Sequence, residues 1–135
     1  MAEDKVEFEL VSPERLLISE PVEMVVVPGE EGDFGVLPQH APLIAMVRPG
    51  VIRIYQGNAV KERIFVAGGF AEVTPARCTV LAEQALPVAE IDRAKVDAEL
   101  KDAREDLADA KDETDRKLAE RRIAVGEAML QAAEG

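Results

Sequence analysis

The sequence has no tryptophan, one tyrosine, one cysteine and one histidine in 135 residues. Aromatic residues make up 4% of the chain against 47% hydrophobic residues, so a core has to be built from Val, Ile, Leu and Ala. The same scarcity argues against an aromatic-lined platform for a sugar or a nucleobase. A single cysteine, Cys78, rules out an internal disulfide and is consistent with a reducing compartment. Basic residues are outnumbered, 16 Lys and Arg to 27 Asp and Glu, for a net charge of −11. That balance argues against nucleic acid, whose phosphates need a basic surface, and against direct docking on anionic lipid. It suits a soluble protein, or one that meets a basic partner surface. No apolar run approaches the roughly 20 residues that span a bilayer. Met1–Val11 carries four acids and lacks the basic and apolar regions of a signal peptide. Any membrane association is therefore expected to go through partners.

What is present changes character near Pro87. Before it, short segments alternate apolar and polar residues, the period of a strand with one buried face. Val6-Glu7-Phe8-Glu9-Leu10-Val11 is the clearest; Arg15–Ser19 and Val22–Val27 follow, with turns expected at Ser12-Pro13 and Glu20-Pro21. Gly50–Gln56 alternates, Gly57-Asn58 is a hairpin signal, and Val60–Val66 returns. Gly68-Gly69 is expected to break the run, with Phe70–Val73 and Arg77–Ala82 as further strands. Short strands at near-regular spacing predict a β-sandwich over residues 1–87.

Beyond Pro87 there is no proline, and glycine only at 126 and 135. Val96, Leu100, Ala103, Leu107 and Ala110 step by four and three, as do Ala119, Ile123, Gly126, Leu130 and Ala133. The interruption at 111–115 supplies N-caps, with Thr114 or Asp115 as candidates. Residues 88–135 are thus expected to form an antiparallel two-helix hairpin. Its seams are mostly alanine. Burial yields roughly 25 cal/mol per Å² of apolar area, so such a seam stabilises little. Gly126 adds a cost of roughly 1 kcal/mol relative to Ala. A marginal hairpin of this kind is expected to dock or to move.

The most punctuated stretch lies between two strand signals. Pro28 to Gly50 contains four Gly and four Pro, and reads Pro28-Gly29-Glu30-Glu31-Gly32-Asp33-Phe34-Gly35-Val36-Leu37-Pro38-Gln39-His40-Ala41-Pro42-Leu43 before Arg48-Pro49-Gly50. Such a segment cannot be helical and has to be short strands and tight turns. Its order of residues, with Val66-Ala67-Gly68-Gly69-Phe70-Ala71-Glu72-Val73, Thr79–Glu83 and Ile91-Asp92, closely resembles the epsilon subunit of the F-type ATP synthase.

That resemblance implies a non-catalytic subunit of the central stalk. It would rotate with the gamma subunit and the membrane rotor ring, couple proton flow to ATP synthesis elsewhere, and restrain ATP hydrolysis through the helical hairpin. It implies a position on the cytoplasmic side of a bacterial inner membrane, held there by partners. It also places Glu31, Asp33 and His40 at or near the ring. Read on their own, Glu30, Glu31 and Asp33 are equally a solvated acidic turn. His40 is a turn histidine or an interface contact; no nucleophile motif around Ser12 or Cys78 supports a catalytic base. Cys78 itself reads as a small core residue.

Some members of the family bind ATP through Ile/Leu-Asp-x-x-Arg-Ala. The matching positions here are Ile91, Asp92 and Lys95-Val96, where Lys95 lacks the bidentate fork of Arg. Asp92 also suits a helix N-terminus. ATP is thus at most a weak regulatory ligand, no phosphate loop or metal set is legible, and no resident cofactor is expected. Two rival classes stay open: a free-standing β-sandwich binding module with a helical oligomerisation tail, and an enzyme using His40.

Overall fold

The computed structural model describes residues 4–135, and the chain divides into two compact units, Met1–Pro87 and Val88–Gly135. The first holds β1 (Val6–Ser12), β2 (Arg15–Val22), β3 (Met24–Gly29), β4 (Gly32–Val36), β5 (Leu43–Met46), β6 (Gly50–Gln56), β7 (Ala59–Val73) and β8 (Arg77–Pro87). They hydrogen-bond in the order β2-β1-β8-β7-β6-β3-β4, and β5 pairs with β7. β1 and β8 run parallel; the other pairs are antiparallel. The architecture is the β-sandwich followed by two helices that the alternation predicts.

One core fills the sandwich. Val6, Phe8 and Leu10 of β1 face Val25 and Val27 of β3, Val36 of β4, Ile52 and Ile54 of β6, and Cys78 and Val80 of β8. Every second residue is buried, as a strand with one wet face requires. β7 departs from this rule. Ile64 and Val66 are in the core on even numbers, then Ala71 and Val73 on odd ones. The switch falls at Gly68 and Gly69, with φ of 73° and 110°. β8 switches opposite them, from Cys78, Val80 and Ala82 in the core to Ala85 packed against it.

β5 and β6 continue this arrangement. Both pair with β7 in one register, from Leu43↔Val73 to Met46↔Phe70 and from Gly50↔Val66 to Ile54↔Glu62, before a shift at Tyr55. They form one arm of a long hairpin, interrupted at 47–49 opposite the glycine pair. There Arg48 N–H donates to Pro28 O of β3 at 2.9 Å and Glu30 N–H of the following turn to Met46 O at 3.0 Å, while Val47 N–H stays on Gly69 O of β7 at 3.0 Å. Gly68-Gly69 therefore does not end a strand, as expected from sequence. It bends a continuous 15-residue strand, because both residues adopt backbone angles closed to other side chains. Likewise Pro21 lies inside β2, opposite Glu7, where a turn was expected. β2 is an edge strand, which tolerates a missing donor.

In the second unit a 3-10 turn at Val88–Glu90 precedes α1 (Arg93–Asp109) and α2 (Glu113–Glu134). Arg93–Glu134, Arg104–Glu127 and Asp106–Arg122 pair across the helices, in the descending order of an antiparallel hairpin. Asp92 caps α1 by accepting from Lys95 N–H at 3.2 Å. Asp112, in extended conformation, caps α2 by accepting from Asp115 N–H at 2.8 Å. The cap is thus Asp112, with Thr114 and Asp115 already inside the first turn.

Val96, Leu100 and Ala103 are buried on α1, and Ala119, Gly126, Met129 and Ala132 on α2. On α2 the buried line runs through Met129 and Ala132, one residue before the Leu130 and Ala133 expected from the seven-residue spacing. Gly126 is a contact site. A Cβ there would lie 2.7 Å from Leu100 Cδ2, so Leu100 rests against the bare α2 backbone.

Two substitutions test these readings by urea unfolding. A Cβ on Gly69 would sit 2.0 Å from the Leu81 carbonyl oxygen, so Gly69→Ala should destabilise the sandwich by about 3 kcal/mol or more. Gly57→Ala also strains a positive φ, of 62°, but meets open space, and should lose only about 1–2 kcal/mol. In the hairpin, Gly126→Val should overpack Leu100 and lose about 1–3 kcal/mol, read as a lower helical melting midpoint by circular dichroism.

Candidate functional site

The β3–β4 turn carries Glu30 and Glu31 into solvent, because Gly29 and Gly32 close the two strands tightly behind them. A Cβ on Gly29 would lie 2.7 Å from the Gly32 carbonyl oxygen. Beside this acidic tip runs an open groove of about 500 Å³, walled by Glu30, Glu31 and Asp33 on one side and Leu43, Ile44 and Met46 on the other.

Asp33 is engaged. Arg48 Nη2 donates to its Oδ1 at 2.5 Å and Arg53 Nη2 to its Oδ2 at 3.2 Å, while Arg48 Nη1 donates to the Gly29 carbonyl at 2.6 Å. All three side chains are about two-fifths exposed, so solvent screens the attraction. Glu30 and Glu31 make no such bond.

Met46 leads from the groove onto a second feature. Met46↔Phe70↔Leu81↔Val11↔Leu16 are successive cross-strand partners over β5, β7, β8, β1 and β2. Directly paired residues share a sheet face. Their neighbours Ala45, Ala71, Val80, Ala82 and Leu10 turn inward, so this row faces out. Met46 is 55% exposed, Phe70 41%, Leu81 39% and Leu16 56%. The adjacent row, Ile44↔Glu72↔Thr79↔Glu9↔Ser19, is mostly polar, with Ile44 71% exposed. An apolar line with a polar border is the composition of a protein-binding surface.

His40 lies elsewhere on the connection between β4 and β5. Its Nδ1 is 2.7 Å from the Ala41 carbonyl, and its N–H closes a turn onto Leu37 O at 3.1 Å. Gln39 N–H donates to Pro75 O at 2.7 Å, which ties this loop to the β7–β8 turn. Asp33 and Glu31 share the tip, but no hydrogen bond or ion pair brings His40 to them. In the helical unit Ile91 is half-buried, and Asp92 and Lys95 are exposed at the start of α1, where the Asp92 carboxylate is taken up by its cap. Among the described residues no group of three His, Cys, Asp or Glu side chains could hold a metal ion. No helix of theirs is long and apolar enough to cross a membrane.

Both units have matches among known families. Residues 5–88 match the β-sandwich domain of the ATP synthase delta/epsilon chain, and residues 92–135 match the C-terminal domain of the ATP synthase epsilon chain. This chain belongs to the ATP synthase epsilon chain family. The ATP synthase epsilon chain of Rhodospirillum rubrum is 57% identical over 129 residues, spanning 96% of each chain. That of Rhodospirillum centenum is 54% identical over 132 residues, spanning 94% of this chain and 90% of the other. A chain of the Euglena gracilis mitochondrial ATP synthase, solved with its c-ring, superimposes with a TM-score of 0.82 at 27% identity, covering 98% of this chain and 82% of that one.

Within this epsilon-family chain, sequence reasoning singled out Asp33 and Glu31 but not Arg48, Arg53 or the apolar row. Leu43-Ile44-Ala45-Met46, apolar on both faces, was the available signal for the row. Phe70 could not be assigned a face until the bend at Gly68-Gly69 was known.

Cys78 is fully buried, and desolvation pushes its thiol pKa from 9.0 up to about 12. The neutral thiol favours the fold below pH 9, and that contribution should fall as pH rises toward about 12. At pH 8 iodoacetamide should label Cys78 slowly in the native chain and quickly in urea; equal rates would contradict its burial.

Proposed function

We propose that this chain is a non-catalytic subunit of the central stalk of a proton-translocating ATP synthase. It turns with the gamma subunit and the membrane rotor ring and couples their rotation to ATP synthesis. The observation that carries this reading is the outward apolar row from Met46 to Leu16, joined at Met46 to the acidic tip. The row supplies a face for gamma, and the tip, with Glu31 and Asp33, a face for the ring. A net charge of −11 suits docking on basic partner loops. The chain then sits on the cytoplasmic side of a bacterial inner membrane, held there by these contacts.

The hairpin restrains ATP hydrolysis when it leaves its closed form. Support for such a two-state element is the small seam: three alanines and a glycine among its buried residues, with three exposed cross-helix ion pairs. The alternative, a free-standing module with an oligomerisation tail, has less support, because α1 and α2 bury their seams against each other.

Phe70→Asp places a charge in the middle of the row and should weaken co-purification with gamma about tenfold or more. Val60→Asp, at an equally exposed position outside the row, should leave it unchanged. Equal retention of gamma by both variants would remove the row from the interface.

A further inference from the structure

We propose that Asp33 acts as a positioning residue for the acidic tip, and that Glu30 and Glu31 carry the charge a partner meets. This rests on the stalk reading above and assigns the roles within its ring-facing surface. Both carboxylate oxygens of Asp33 are already occupied, Oδ1 by Arg48 at 2.5 Å and Oδ2 by Arg53 at 3.2 Å. An incoming basic group would meet oxygens that already accept from two guanidinium groups. Two cations against one anion also leave no net negative charge at this point.

The arrangement has a mechanical consequence instead. Arg48 holds Asp33 and the Gly29 carbonyl with the two ends of one rigid fork, which joins the two strands of the β3–β4 turn across their base. Its own backbone N–H is fixed on Pro28 O at 2.9 Å, and Glu30 N–H is fixed on Met46 O at 3.0 Å. Gly50 is packed so closely that an added Cβ would meet Pro28 Cβ at 2.9 Å, so the corner bearing Arg48 lies directly against β3. The fork therefore sets the direction in which Glu30 and Glu31 leave the sandwich. The planar fork reaches these two acceptors from two nitrogens, whereas a lysine at 48 would have to serve both from a single nitrogen without a fixed plane.

The test uses membranes bearing ATP synthase depleted of this chain, to which the full chain is added back. The readout is the concentration that half-restores ATP-driven proton pumping, measured at several salt concentrations. Asp33→Asn and Arg48→Gln are each expected to raise that concentration about three- to tenfold, with the double variant no worse than either. Their dependence on salt should match the wild type, since no contacting charge is lost. Glu31→Gln should instead flatten the salt dependence. In the free chain, hydrogen exchange at the Glu30 amide should speed up in Asp33→Asn and Arg48→Gln but not in Glu31→Gln, and Arg48→Lys should fall between.

A weakened Asp33→Asn with a flattened salt dependence, beside an unaffected Arg48→Gln, would make Asp33 a direct contact and overturn the proposal. Unchanged Glu30 exchange in both Asp33→Asn and Arg48→Gln would overturn it as well. If the wild-type chain itself restores no pumping, the stalk reading falls and the assignment of Glu30 and Glu31 falls with it.

Discussion

The sandwich depends on one close approach, that of the Gly69 backbone to the carbonyl of Leu81. Gly68 and Gly69 take left-handed angles that let β7 turn over without losing its partners. Because side chains alternate along a strand, turning it over changes which residues face the core. The burial of Ile64 and Val66 before the glycines, and of Ala71 and Val73 after them, is the result. β8 and the β5–β6 arm follow, since paired residues must share a face. One sheet thereby encloses a core on both sides with a single continuous hydrogen-bond network.

The same bend organises the surface. After it, Phe70 and Leu81 point outward and line up with Met46, Val11 and Leu16. The interruption of the β5–β6 arm at 47–49 lets the Arg48 backbone bind Pro28 of β3. That brings Arg48 over Gly29 and against Asp33, so the acidic tip and the apolar row meet at one corner. Neither feature is local. The residues that make them come from seven strands spread over the first 81 positions.

The helical unit follows a different logic. Its helices are well capped, by Asp92 and Asp112, and bind each other through small residues, with Leu100 lying on Gly126. Exposed ion pairs between them contribute about 0–1 kcal/mol each, which is comparable to the effect of one cap. Stability is thus distributed over many weak terms. The helices are individually well defined while their association is shallow.

By itself, the sequence determined the strand alternation, the helical seams, the boundary near Pro87 and the family, through a Gly- and Pro-rich segment whose order of residues is specific. Periodicity and turn chemistry are local, so they survive in one dimension. It also marked Glu31, Asp33 and His40 as notable, yet it could not say that Asp33 is occupied and that no bond joins His40 to it. Tertiary structure alone decided that Gly68-Gly69 bends a strand rather than ending it. It also decided that Gly126 receives Leu100 and that five apolar residues form one outward row. Each of these depends on what stands opposite a residue, and pairing across a sheet or between helices is fixed by register, which no local pattern contains.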